Sequence, residues 1–424
     1  MKKILLFGAG KSAGVLADYL ADQSALNHWE FTIADANLQA ARSRAGHSPH
    51  THAVQINVDI ERERKALVEE ADIVISLLPP TLHYNIALDC IELKKNLLTA
   101  SYIDDQIRKL EGEITKKKLF FLCEMGLDPG IDHMSAMQII HKIKKEGGKI
   151  ISFRSHTGGL VAPESDDNPW HYKISWNPRN VVRAGAAGAL YKENGKIKKL
   201  EYPDLFEDCK EITVKGAGRF SWYPNRDSLG YIPLYGLAET QNFLRTTLRH
   251  PLFCKNWKFI VAAGLTDDKK ELPSGRLSFR GWSAPILPFV TEQNKEMFSY
   301  LGLFDEDPVP SAAKTSADIL QYLLESRLPM RTGDKDMIVM QHELEYLSKG
   351  QKSELKSTLI VKGENNVRTA MAKTVGLPLG IAAKLILQHK INITGLHIPI
   401  LPEIYEPVLQ ELAQHQIIFS EEVS

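Results

Sequence analysis

Short apolar runs alternate with amphipathic stretches through the first 125 residues. The runs Lys3 to Phe7, Phe31 to Ala34, Val54 to Val58, Ile73 to Leu77, Asn96 to Thr99 and Leu119 to Cys123 have strand length. Between them, Val15, Leu16, Tyr19 and Leu20, and the stretch from Asn85 to Leu93, follow a helical pattern. Strands alternating with helices predict an α/β fold: a parallel sheet with helices on both faces. From Glu124 to about Arg249 the apolar runs shorten, and glycine, proline, tryptophan and charged residues mix densely, as in loops gathered around a site. The stretch from Pro251 to Ser326 is charged and helix-prone but broken by Pro273, Pro285, Pro288, Pro308 and Pro310, and reads as a small helical insertion. Asp336 to His342 reads as a buried strand with Ser357 to Val361 as its neighbour. Thr369 to Gln388 is a helical pattern interrupted at Gly376 and Pro378. No internal repeat or low-complexity segment is found.

At 424 residues the chain exceeds one compact core, so two domains are expected, with room for a third small one. The 52 basic and 52 acidic residues cancel, which removes any global field toward nucleic acid or an anionic membrane. Cys90, Cys123, Cys209 and Cys254 show no CxxC spacing and read as reduced packing residues of a cytoplasmic protein, with no metal site. The basic and apolar start, Met1 to Phe7, is cut short at Gly8 and Gly10, after about four apolar residues where a signal needs roughly 7 to 15. No stretch reaches the roughly 20 apolar residues of a membrane span.

The sequence Gly8-Ala9-Gly10-Lys11-Ser12-Ala13 follows a predicted strand and opens a predicted helix, the context of a dinucleotide-binding turn. Gly8 permits the tight turn, Gly10 lets the backbone approach a pyrophosphate, and Ala13 is small enough for helix to pack on strand; the helix N-terminus offers its N–H groups to phosphate. Asp35 ends the second predicted strand about 25 residues after Gly10, near the spacing of a carboxylate that binds the adenosine ribose. A carboxylate there repels a 2′-phosphate, so NAD is expected over NADP, with Arg42 and Arg44 one to two turns on as the opposing signal. The bland reading of Asp35 is a helix cap. Asp59, Leu77, Ala100 and Ser101 lie at carboxyl ends of predicted strands, where Asp59 is placed on adenine and Leu77 and Ser101 near the nicotinamide; core packing is the alternative for Leu77 and Leu78.

Four polar clusters follow: Glu124 to His133, Ala162 to Trp176, Tyr223 to Ser228, and Thr246 to Arg249. Each alone is more often a surface loop than a site. In this order, after this glycine turn, and together with Lys335 to Met340 and Ala370 to Pro378, they resemble the glutamate-forming saccharopine dehydrogenases over nearly the whole chain. The resemblance implies an N-terminal Rossmann domain (1–124 with about 395–424), an α/β substrate and dimerisation domain (125–250 and 335–394) and an inserted small helical domain (251–334). It implies NAD(P)-dependent oxidation of saccharopine to glutamate and 2-aminoadipate 6-semialdehyde in lysine metabolism, by a homodimer. Substrate contact carries over to Ser101, Tyr102, Asp128, Arg226, Thr247, Leu248 and Arg249, with Leu248 acting through its backbone. Leu127, Asp128 and Ser175 join the cofactor contacts.

A substrate with three carboxylates suits bidentate arginines; the alternative for either arginine is a surface ion pair, for instance to Asp227. Hydride leaves only from a carbon bearing a neutral amine, so a base is required. Asp128 is the first candidate, with Lys173, Tyr102 and His133 behind it, and an Asx-type turn before Pro129 is its bland alternative. A short-chain dehydrogenase is excluded because no tyrosine has lysine four residues on, and His133, His156 and His171 lack zinc-ligand spacing. A carboxynorspermidine-type dehydrogenase and a silent NAD-binding regulator are the remaining rivals.

Overall fold

The computed structural model describes residues 1–272 and 277–424, so Pro273 lies outside the described residues. The chain divides into two units, residues 1–142 with 370–418, and residues 143–369 with 419–424.

The first unit is built on a seven-stranded sheet. Its strands lie in the order Gly395–His397, Phe120–Leu122, Asn96–Thr99, Ile73–Ser76, Lys3–Phe7, Glu30–Asp35, Thr51–Gln55. All neighbours are parallel. Chain order reverses beside Lys3–Phe7, so two carboxyl strand ends splay apart there, the switch point where doubly wound sheets bind ligands. Leu5, Phe7, Val74 and Leu97 pack with Ile86, Ala87 and Cys90 of the His83–Glu92 helix. Ile4 and Leu6 point to the opposite face and are equally buried, as a sheet covered on both sides requires.

Three expectations need correction here. The third strand is Thr51–Gln55, three residues earlier than Val54 to Val58. The helix Ala370–Leu387 runs unbroken through Gly376 and Pro378. It packs on the helix Gly14–Asn27 so closely that a Cβ at Gly376 would stand 2.9 Å from the Leu16 Cβ, and one at Gly380 would stand 2.6 Å from Tyr19. Gly376 is therefore a contact point, not a break. That packing also draws the chain's return into the first unit back to Ala370 from the expected 395, while the last strand, Ser420–Val423, pairs with Gln351–Lys362 in the second unit. Among the described residues, Ala370–Leu387 is the one helix long and apolar enough to cross a membrane, and 83% of that stretch is buried within the protein.

The second unit carries a ten-stranded mixed sheet. Its long strand Lys149–Val161 pairs parallel with Asn242–Arg249 and antiparallel with Asp336–Ser348, which continues into Gln351–Lys362. The helices Pro251–Ala262 and Ser316–Arg327 do not form a core of their own. Phe253, Trp257, Ile319 and Leu323 share one apolar cluster with Trp170, Tyr172 and Tyr223. The Trp170 ring lies 5.8 Å from Phe253 and 6.2 Å from Trp257, and its Nε1–H donates to the Met297 carbonyl at 2.7 Å. An insertion that buries its aromatics against the substrate-domain loops belongs to that domain energetically.

Candidate active site

Within the first unit, Gly8 takes φ = +104°, and a Cβ there would meet the backbone of Leu77 at 3.2 Å. Only glycine combines that dihedral with that approach. Lys11–Ala13 forms a single turn that leads into the helix Gly14–Asn27, with Ala13 buried beneath it. A Cβ on Gly10 would meet no protein atom within 4 Å, so the glycine is not needed for packing and leaves the backbone open to a ligand. That cradle fits a pyrophosphate at a helix N-terminus.

Asp35 ends the second strand as its spacing suggested, but its oxygens are already engaged. One carboxylate oxygen accepts from the Ala9 N–H at 2.7 Å and the other from the Asn37 N–H at 2.8 Å. It clasps the glycine turn to the end of the second strand, and Asn37 caps the following helix by accepting from the Ala40 N–H. Arg44 reaches back from that helix, its Nη2 3.3 Å from the Gly10 carbonyl oxygen, so a guanidinium stands beside the turn. Asp59 is exposed in the bend after the edge strand Thr51–Gln55.

The carboxyl ends of Ile73–Ser76, Asn96–Thr99 and Phe120–Leu122 bring Leu77, Ala100, Ser101, Tyr102, Leu127 and Asp128 to one edge of the sheet. Backbone hydrogen bonds lock these loops: Met125 N–H donates to the Thr99 carbonyl and Glu124 N–H to the Ser101 carbonyl, both at 3.0 Å. Gly126 and Gly130 make the tight packing possible, since a Cβ on Gly126 would touch the Ala100 Cβ at 3.1 Å and one on Gly130 would overlap the Gly126 carbonyl at 2.1 Å. The Asp128-Pro129 peptide is cis. From Leu119 to Met137 every residue is buried except Asp128. The sequence could not show that this one carboxylate breaks an otherwise closed layer. His133 is fully buried against Glu124, at 2.9 Å, with Asp132 at 3.8 Å, and braces the loop from inside.

In the second unit, Asn242–Arg249 carries the substrate candidates, and Thr247 and Arg249 point to one face at the strand period of two. Arg249 is 4% exposed. Its Nη1 donates to the Leu248 carbonyl at 2.8 Å, its guanidinium carbon lies 5.3 Å from the Tyr172 ring and 5.9 Å from Phe253, and its Nε has no hydrogen-bond partner. No carboxylate pairs with it among the described residues. A charge left in aromatic surroundings with an open donor suits an anion, because an unpaired buried charge is otherwise costly. Burial also pushes the neighbouring Tyr223 phenol well up, which keeps it protonated as a donor. Thr247 pairs with Tyr223, and Leu248 with Trp222, in the ladder to Gly218–Pro224. Arg226 follows that strand, exposed and with φ = +52°, while Asp227 accepts from the Leu229 N–H at 2.8 Å.

Lys173 does not fit a base. Its Nζ holds Asp334 at 2.7 Å and Asp167 at 2.9 Å, and although burial works to lower its pKa, these carboxylates outweigh burial and raise it. It ties two loops together. Ser175 is buried beside the bridge between Ile174 and Pro329. Two residues passed over in the sequence join these groups. Arg245, 2% exposed, shares the face of Thr247 and Arg249 and lies 4.6 Å from the Tyr231 ring; the alternation R-x-T-x-R could have revealed it. His83 touches Ser101, and no sequence spacing signals that contact.

Comparison with known proteins gives concordant results. Residues 4–122 match the family model of the saccharopine dehydrogenase NADP binding domain, and residues 126–418 that of the saccharopine dehydrogenase C-terminal domain. The chain is 32% identical to the saccharopine dehydrogenase [NADP(+), L-glutamate-forming] of Saccharomyces cerevisiae, covering 99% of each chain. It is likewise 32% identical to the enzyme of the same name from Schizosaccharomyces pombe, covering 100% of this chain and 99% of the relative. It is 33% identical to the alpha-aminoadipic semialdehyde synthase of Arabidopsis thaliana, but spans only 44% of that longer protein. The solved apo saccharopine dehydrogenase (L-Glu forming) of Saccharomyces cerevisiae superposes with a TM-score of 0.88 at 33% identity, over 100% of both chains. These findings overturn the expectation of NAD: the matching domain model is an NADP binding domain and the yeast relatives are NADP(+) enzymes. The physical reason lies in Asp35, whose oxygens are both engaged by backbone N–H groups, and in Arg44, which brings positive charge to the turn.

Proposed function

This chain belongs to the saccharopine dehydrogenase family, and from that premise we propose that it catalyses the NADP-dependent, glutamate-forming oxidation of saccharopine. The observation that carries this reading is the full-length match to a yeast enzyme of that activity, with the same architecture end to end. In the reaction, saccharopine, NADP+ and water give glutamate, 2-aminoadipate 6-semialdehyde, NADPH and a proton. The bound dinucleotide supplies the hydride acceptor.

The first unit holds the dinucleotide: Gly8 and Gly10 shape the turn, the first N–H groups of the helix face phosphate, and Arg44 offers a cation to the 2′-phosphate. Leu77, Ala100, Ser101 and Leu127 line the nicotinamide end. Arg249, with Thr247 and Leu248, is assigned to one substrate carboxylate and Arg226 to another. Ser221, the ladder partner of Arg249, lies five residues before Arg226, which is about 16 Å at ~3.3 Å per residue. Two long side chains spaced that way suit an extended, polyanionic amine. Asp128 accepts the proton from the secondary amine so that hydride can leave, and Tyr102 and Ser101 orient the substrate. Asp128→Asn should lower kcat by about 10²-fold or more while NADPH still binds; an unchanged kcat assigns the proton elsewhere.

The direct test is a spectrophotometric assay of saccharopine oxidation with NADP and, separately, NAD. Turnover favouring NADP supports the proposal, and no turnover with either, beside intact NADPH binding, refutes it. A homodimeric, cytoplasmic enzyme completes the reading. The family resemblance supports the first part and the free thiols of all four cysteines are compatible with the second; light scattering that gave a monomer would remove the dimer.

A further inference from the structure

His83 stands at the start of the helix His83–Glu92, 4% exposed, and joins two serines at the carboxyl ends of adjacent strands. Its Nδ1 lies 2.9 Å from the Ser76 Oγ and its Nε2 lies 2.8 Å from the Ser101 Oγ. Ser76 is fully buried, whereas Ser101 is partly accessible.

Proton accounting fixes the direction of this relay. A neutral imidazole donates through one nitrogen and accepts through the other. The ring is neutral, because burial pushes its pKa down to about 4 against the opposing pull of Asp104. Ser76 has the ring as its only side-chain partner among the described residues. If Ser76 accepted, its own O–H would be a buried donor with nowhere to go, and that costs more than an oxygen lone pair left unused. Ser76 therefore donates to Nδ1, the proton sits on Nε2, and Nε2–H donates to Ser101. The main chain of Ser101 is already held, its N–H by the Thr99 hydroxyl at 3.3 Å and its carbonyl by Glu124. Rotation of its hydroxyl is the freedom left, and His83 removes it.

We infer that His83 is a positioning residue: it holds the Ser101 oxygen as an acceptor on the inner side, so that the Ser101 hydroxyl proton is presented outward as a donor to a carboxylate or carboxamide oxygen of the bound reactants. The inference rests on the proposed place of Ser101 in the saccharopine site. An apolar side chain would fill the His83 site with less desolvation, which is why simple packing does not account for an imidazole there.

The test is a double-mutant cycle in the full chain, read as kcat/KM for saccharopine per folded molecule. His83→Asn, which keeps reach to Ser76 but not to Ser101, should lower kcat/KM about five- to tenfold. His83→Gln, whose amide reaches Ser101, should restore most of the loss. In a Ser101→Ala background His83→Asn should add nothing. Additive losses, or a His83→Asn variant with wild-type kinetics beside an impaired Ser101→Ala, would overturn the relay while leaving the site reading intact. Wild-type kinetics in Ser101→Ala would instead remove Ser101 from the site and end both. Independently of any turnover, 15N spectra of histidine-labelled protein, assigned by difference with His83→Gln, should show His83 as the neutral Nε2–H tautomer at pH 7; the Nδ1–H tautomer would overturn the inference.

Discussion

At the scale of single residues, function follows from which polar groups are left open by their neighbours. Among the described residues Arg249 is surrounded by rings and donates to a carbonyl, so its charge is left open for the carboxylate proposed to meet it. Arg249→Ala should weaken saccharopine kcat/KM by roughly 2 to 5 kcal/mol and leave the NADPH Kd unchanged, measured by steady-state kinetics and fluorescence titration. Arg249→Lys should recover little, because a point charge does not replace a planar fork. Arg44 poses the complementary case at the cofactor. Arg44→Ala should raise the Kd for NADPH about tenfold and barely alter that for NADH, since only the former carries the charge it would meet; equal losses for both would show that Arg44 merely braces the turn through the Gly10 carbonyl. Asp35 illustrates how spacing misleads: a carboxylate in the expected place can already be engaged by the backbone it helps to fold.

At the scale of elements, close approach decides what composition leaves open. The pattern from Thr369 to Gln388 contains a glycine and a proline that read as breaks, yet the helix is continuous and nearly all buried. Gly376 and Gly380 allow it to settle on Leu16 and Tyr19 of the helix that follows the glycine turn. Tyr19 then donates to Glu411 at 2.6 Å, and Lys384 holds the same carboxylate at 2.5 Å, which ties in the helix Pro402–Gln414. Gly376→Val should therefore cost about 1 to 3 kcal/mol of stability through overpacking, seen as a lower urea midpoint. A midpoint equal to the wild type would mean that the two helices can separate without loss.

At the scale of the whole molecule, acid stability reports groups that the fold keeps neutral. Burial lowers the pKa of His83 to about 4; burial, reinforced by His171 stacked 3.7 Å away, does the same for His250. Both values lie below the ordinary 6.5 of the unfolded chain, so below pH 6.5 the unfolded state binds more protons than the folded state. Their contribution is complete above pH 6.5 and is lost progressively as pH falls toward 4. The urea midpoint should thus decline between pH 6.5 and 4, and His83→Gln should flatten part of that decline. An identical slope in the variant would show that His83 titrates normally in the folded protein.

Periodicity and glycine spacing by themselves determined the parallel sheet, its glycine turn and the strands Lys3–Phe7 and Asn96–Thr99, because backbone geometry imposes these patterns locally. Cofactor choice, the unbroken buried helix, the merging of the 251–334 helices into the substrate-domain core and the His83 contact were decided only in three dimensions. Each depends on which side chain occupies a given hydrogen bond or void, and partners such as Ala9 and Asp35, Leu16 and Gly376, or His83 and Ser101 are separated in sequence by distances that no local pattern encodes.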